Sequence, residues 1–190
     1  MKIEALRHVI RASAGVTGYK KFLILGSQAI LGHCLDKDYD FSFHESMELD
    51  IAPIPENEII SDLISGTIEE LSPFHQTFGY YADGCDMGTA IFPLGWDQRV
   101  SHYIFEEDIN VYFPSVEDLA LSKYCAGRGK DTEFIKKLWD EDLLDVNTMQ
   151  KLLSQLPAEK LGAKLGYVKN RVTCDIEAYM KRGKNLGQER

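Results

Sequence analysis

The sequence predicts an α/β or α+β fold: a small mixed sheet of about five strands flanked by helices, continued by a helical extension. Three observations predict it. The apolar run KKFLIL stops at the turn Gly26-Ser27, the stretch MELDIAP alternates acids with aliphatic residues, and beyond Ser115 the apolar spacing is helical. A chain of 190 residues can hold one domain with a real core, or a core with an appendage. The predicted organisation is therefore an α/β core over residues 1–114 and a helical extension over residues 115–190, packed on it as a single structural unit.

Taken in order, residues 2–14 place Ile3, Leu6, Val9 and Ile10 at helical spacing and end at Gly15. KKFLIL suits a short buried strand, after which Gly26-Ser27 turns the chain into SQAILGH, a short helix with Ser27 as its cap. Residues 34–46 lack a period and are expected to form a loop. In MELDIAP, Glu48 and Asp50 lie two apart and so share one face of a strand, with Leu49 and Ile51 on the other. Pro55-Glu56 opens a helix with Ile59, Ile60, Leu63, Ile64, Ile68 and Leu71 on one side. FHQTFGYYADG is expected to be a strand ending in a turn, IFPLGWDQR a loop, and VSHYIFEEDINVYFP a hairpin turning at Glu107-Asp108. Three or so helices follow, separated at Gly127 to Gly129, around Asn147 and at Pro157.

A hydrophobic fraction of 44% with 27% charged residues belongs to an ordinary globular protein. No apolar run reaches the roughly 18 residues of a membrane span, and the N-terminus carries no leader pattern, so a cytoplasmic location without membrane partners is expected. The net charge of -9 argues against strong DNA binding, because affinity for nucleic acid rests on basic surface. Lysine and arginine do gather after Lys123, in KYCAGRGKDTEFIKK, where they can meet one anionic ligand. Cys34, Cys85, Cys125 and Cys174 show no metal or redox spacing and are expected to be buried thiols.

The residues with chemical promise lie in two neighbouring segments. A turn that follows a buried strand and opens a helix points free N–H groups outward, which suits phosphate. Two carboxylates on one strand face suit a hard divalent cation such as Mg²⁺, which takes oxygen ligands and bridges to phosphates. Together these features describe a site for a nucleoside triphosphate and its metal.

FLILGSQAILG followed by MELDIAP resembles the Gly-Ser turn and paired-acid strand of the DNA polymerase beta-like nucleotidyltransferases. FGYYADG, LGWDQR and FPSVEDLALSKYCAGRGKDTEFIKKL resemble the bacterial nucleotidyltransferase-like proteins related to AbiEii abortive-infection toxins. The resemblance implies that Gly26 and Ser27 contact the triphosphate. It implies that Glu48 and Asp50 ligate Mg²⁺, with Asp83 as a third carboxylate, and that Lys123, Arg128 and Lys130 steady phosphate or the carboxylate cluster. The implied reaction transfers a nucleoside monophosphate to a protein hydroxyl, an RNA end or a small molecule. Where the family pattern more usually has Asp, this chain has Glu48, which leaves a second reading: an inactive module acting as a toxin-antitoxin or regulatory partner.

Each residue also has a plainer reading. Gly26-Ser27 can be a simple turn, Glu48 and Asp50 the solvated face of an edge strand, and Asp83 a turn residue before Gly84. Lys123 and Arg128 can face solvent or pair with Glu117 and Asp118 in surface ion pairs, and Asp131 can be a first-turn acid or an internal salt-bridge partner. Trp96 is expected to pack rather than stack on a base.

Overall fold

The computed structural model describes residues 1–35, 46–106 and 108–188. Most of the expected loop after Cys34, residues 36–45, and Glu107 of the hairpin turn lie outside these. The chain divides into two compact units, Met1–Ala90 with Asp97–Ser115, and Ile91–Trp96 with Val116–Arg190.

The first unit opens with α1 (Ile3–Thr17), which buries Leu6, Val9, Ile10, Ser13 and Ala14 along one stripe. The helix does not stop at Gly15 but runs on to Gly18, which takes the left-handed conformation at φ 72° and donates its N–H to the Ala14 carbonyl. A glycine inside a helix costs only about 1 kcal/mol against alanine, less than the packing of this stripe supplies. The left-handed cap is what ends it.

Among the described residues the predicted mixed sheet is present, with five strands in the order β3-β2-β1-β5-β4. β1 (Lys21–Ile24) is central, antiparallel to β2 (Glu48–Pro53) and parallel to β5 (Ile109–Phe113). β3 (Tyr81–Gly84) runs parallel to β2, and β4 (Ser101–Phe105) forms the expected antiparallel hairpin with β5. Parallel neighbours need a crossover, here supplied by α3 (Glu58–Ile68) and α4 (Pro73–Phe78) between β2 and β3.

Three expectations are corrected in that crossover. PFHQTF is helical rather than extended, because Ser72 caps it by accepting from the His75 N–H and Pro73 supplies a first-turn φ. In α3 the buried residues are Ser61, Ile64 and Ile68, while Ile59 and Leu63 are exposed and Leu71 lies beyond the helix. The backbone approach of β3 at Ser61 selects the face that also carries Ile64 and Ile68, and Ile59 and Leu63 are turned outward. Asn57, not Pro55, begins this helix, its side chain accepting from Ile60 N–H at 3.3 Å. Asn57→Ala is expected to lower stability by about 0.5–2 kcal/mol in chemical denaturation; an unchanged midpoint would discount the cap.

The second unit is helical: α5 (Val116–Ala126), α6 (Gly129–Asp140), α7 (Val146–Leu153), α8 (Ala158–Leu161) and α9 (Lys164–Gln188). α5 is buried nearly all round, with α6, α7 and α9 packed against it. The break expected around Asn147 lies earlier, since Asp145 caps α7 by accepting from Thr148 N–H at 2.8 Å. Tyr124 anchors this core, donating to Asp175 at 2.7 Å and accepting from the Trp139 indole at 3.0 Å. Trp96 packs on Phe92 with ring centres 4.9 Å apart. All four cysteines are free thiols, although only Cys34 and Cys125 are buried. Among the described residues, no helix is long and apolar enough to cross a membrane.

Candidate functional site

The geometry starts from the middle of the sheet. β1 ends beside β2, where Leu25 N–H donates to the Asp50 carbonyl at 2.9 Å, so the chain leaves the sheet directly alongside Asp50. Gly26 then adopts φ 61° and ψ -161°, a conformation that side chains rarely accept. A Cβ on Gly26 would also collide with the Asp50 carboxylate. The glycine is thus required twice, by its backbone angle and by the acid beside it.

The helix expected after this turn is different in kind. Ser27–Ile30 forms a 3₁₀ turn leading into α2 (Leu31–Cys34), with Gly26 rather than Ser27 at the cap position and no side-chain cap bond. Such short pieces align few peptide dipoles, so little of the expected helix field is present here.

The acids are arranged by strand register. Glu48 and Asp50 are half-buried on one face of β2, while Leu49 and Ile51 are fully buried on the other. In β3, Asp83 pairs in register with Asp50, and Tyr81 with Glu48. Neighbouring strands lie about 4.8 Å apart, which stands same-register side chains next to each other. Glu48, Asp50 and Asp83 accordingly bring one carboxylate oxygen each to within 4.8 Å of one another. Asp83 is a strand residue, not the turn residue its following glycine suggested. Gathering three carboxylates is repulsive unless protons or a cation offset the charge, and an all-oxygen set suits a hard divalent cation.

Two neighbours feel these acids. The Cys85 thiol is pushed up by burial first and then by Asp50, Asp83, Asp86 and Glu48, which keeps it protonated and a poor nucleophile. Burial, and after it Glu48, Glu70, Asp50 and Asp83, likewise raises the Tyr81 phenol. Ser65 on α3 donates to Asp83 Oδ1 at 3.0 Å, a contact that the sequence reading missed. The available signal was its spacing from Ser61, two serines four apart and so on one face of the helix.

The basic residues expected near phosphate lie in the second unit. Lys123 is buried and its Nζ sits 3.3 Å from Asp131 Oδ1. Arg128 binds the same carboxylate through Nε at 2.8 Å and Nη2 at 3.2 Å. Asp131 also accepts the Arg128 backbone N–H at 3.1 Å, closing the first turn of α6. Its role is the internal ion pair foreseen as the plainer reading. Lys130 is exposed.

The sheet, its crossover helices and the carboxylate group define a nucleotidyltransferase-like α+β fold with a cluster suited to metal. The chain belongs to the family described as nucleotidyltransferase of unknown function (DUF6036), whose model matches residues 4–184. No curated protein and no solved structure matches it.

Proposed function

We propose that this protein transfers a nucleoside monophosphate from a nucleoside triphosphate to an acceptor hydroxyl, releasing pyrophosphate. The observation that carries the reading is the convergence of Glu48, Asp50 and Asp83, oxygens within 4.8 Å, in a member of a nucleotidyltransferase family. The likeness of FLILGSQAILG and MELDIAP to the polymerase beta-like turn and acid strand supports it further. Glu48, Asp50 and Asp83 would hold Mg²⁺, which supplies charge neutralisation on the phosphates when bound. Gly26 and Ser27 are assigned to the triphosphate, the missing Cβ letting the turn lie against Asp50. The basic residues at 123, 128 and 130 stay outside this assignment. The acceptor is a protein hydroxyl, an RNA 3′ end or a small molecule.

The test is thermal unfolding with each of the four ribonucleoside triphosphates, with and without Mg²⁺. Wild type is compared with a Glu48→Gln/Asp50→Asn double variant. At a ligand concentration near one hundred times Kd, binding adds about 2.7 kcal/mol. For a chain of this size that raises Tm by about 5–10 °C. The shift is expected to need Mg²⁺ and to vanish in the double variant. No shift with any nucleotide would overturn the reading in favour of a non-catalytic module with a toxin-antitoxin or regulatory partner.

A further inference from the structure

Resting on the metal reading above, we infer that Ser65 is a positioning residue for Asp83, setting the angle at which that carboxylate is offered to the cation. The Ser65 hydroxyl sits between strand and helix with its hydrogen bonds assigned by geometry. Its oxygen accepts the Gly84 N–H at 2.8 Å, which uses one lone pair and fixes the oxygen against the end of β3. Its single proton then has two acceptors within reach, Asp83 Oδ1 at 3.0 Å and the Gly84 carbonyl at 3.3 Å. The carboxylate is nearer and charged, so the proton goes to Asp83.

The backbone holds this hydroxyl in place. A Cβ on Gly84 would collide with the Ser61 carbonyl, so α3 meets β3 main chain to main chain at this point. One turn earlier, Ser61 Oγ donates to the Cys85 carbonyl at 3.2 Å and braces the next residue along. Ser65 therefore projects from a surface whose distance to β3 is set by packed backbone rather than by flexible side chains. Without the hydroxyl, Asp83 would turn about χ1 and χ2 under repulsion from Glu48 and Asp50. With it, one oxygen is pinned on the side facing α3. Outer partners that orient ligating carboxylates in this way commonly carry a 10–100-fold share of metal affinity.

The experiment is titration of Mn²⁺, followed by the paramagnetic resonance of the free ion, on the full chain. Wild type, Asp83→Asn, Ser65→Ala and Ser61→Ala are compared. Ser65→Ala is expected to raise Kd by about 10–100-fold with an unchanged number of sites, which separates misorientation from loss of folded protein. Ser61→Ala, which loosens the brace without touching Asp83, is expected to keep the wild-type Kd. The pair Ser65→Thr and Ser65→Val, equal in shape and different in the hydroxyl, should divide the same way, Thr binding and Val weakened. An unchanged Kd in Ser65→Ala, or an equal rise in Ser61→Ala, overturns the positioning role while leaving the metal reading intact. Wild type binding no better than Asp83→Asn overturns the metal reading and this inference with it.

Discussion

Asp131→Asn is expected to destabilise the protein by about 3–5 kcal/mol, the range for breaking a buried ion pair by removing one charge. The Asp131 side chain is 1% exposed and Lys123 6% exposed, so water cannot replace what is lost. The isosteric amide removes the charge while sparing the shape. By contrast, Arg128 is 57% exposed, and Arg128→Ala should cost about 1 kcal/mol or less. Equilibrium denaturation of the two variants checks the contrast; equal effects would mean that the exposed fork, not the buried lysine, carries the pair.

The same carboxylate makes a pH prediction. Burial alone would raise the Asp131 pKa, but the bonds from Arg128 and the charge of Lys123 outweigh it and hold the pKa below its ordinary 3.8. A carboxyl whose folded pKa is depressed binds fewer protons folded than unfolded, so its stabilisation is complete above 3.8 and is lost as pH falls through the folded value. Wild-type Tm is therefore expected to fall in acid below about pH 4 more steeply than that of Asp131→Asn. Parallel curves would remove Asp131 from the acid response.

Gly26→Ala is expected to abolish the Mg²⁺-dependent nucleotide response and to cost about 1–3 kcal/mol of stability. The added methyl must occupy a left-handed backbone at φ 61° and displace the Asp50 carboxylate. Gly15→Ala provides the control, because a Cβ there meets nothing within 4 Å and lies inside α1. That change should stabilise by up to about 1 kcal/mol and leave the nucleotide response untouched. A Gly26→Ala protein with normal stability and response would show that the turn has room to spare.

Periodicity within one element was legible wherever a single face decided burial. The alternation in MELDIAP set Leu49 and Ile51 inward and Glu48 and Asp50 together, and the paired β-branched and aromatic runs of β4 and β5 formed their hairpin. Where two faces were both apolar, local pattern misled. α3 offered Ile59 and Leu63 as readily as Ile64 and Ile68, and the close approach of Gly84 to Ser61 decided between them. A strand was expected through FHQTF, but the Ser72 cap with Pro73 in the first turn made a helix.

The sequence by itself determined the alternation that pairs Glu48 with Asp50, the glycine before Ser27 and the helical character beyond Ser115. These depend on a period of two or 3.6 residues and on backbone angles, which each segment carries alone. Only the tertiary structure decided that Asp83 stands in register with Asp50, that Gly26 lies against an acid, and that Lys123 is buried with Asp131. Those pairings join segments through strand register and helix packing, and no local preference encodes which distant partner will arrive.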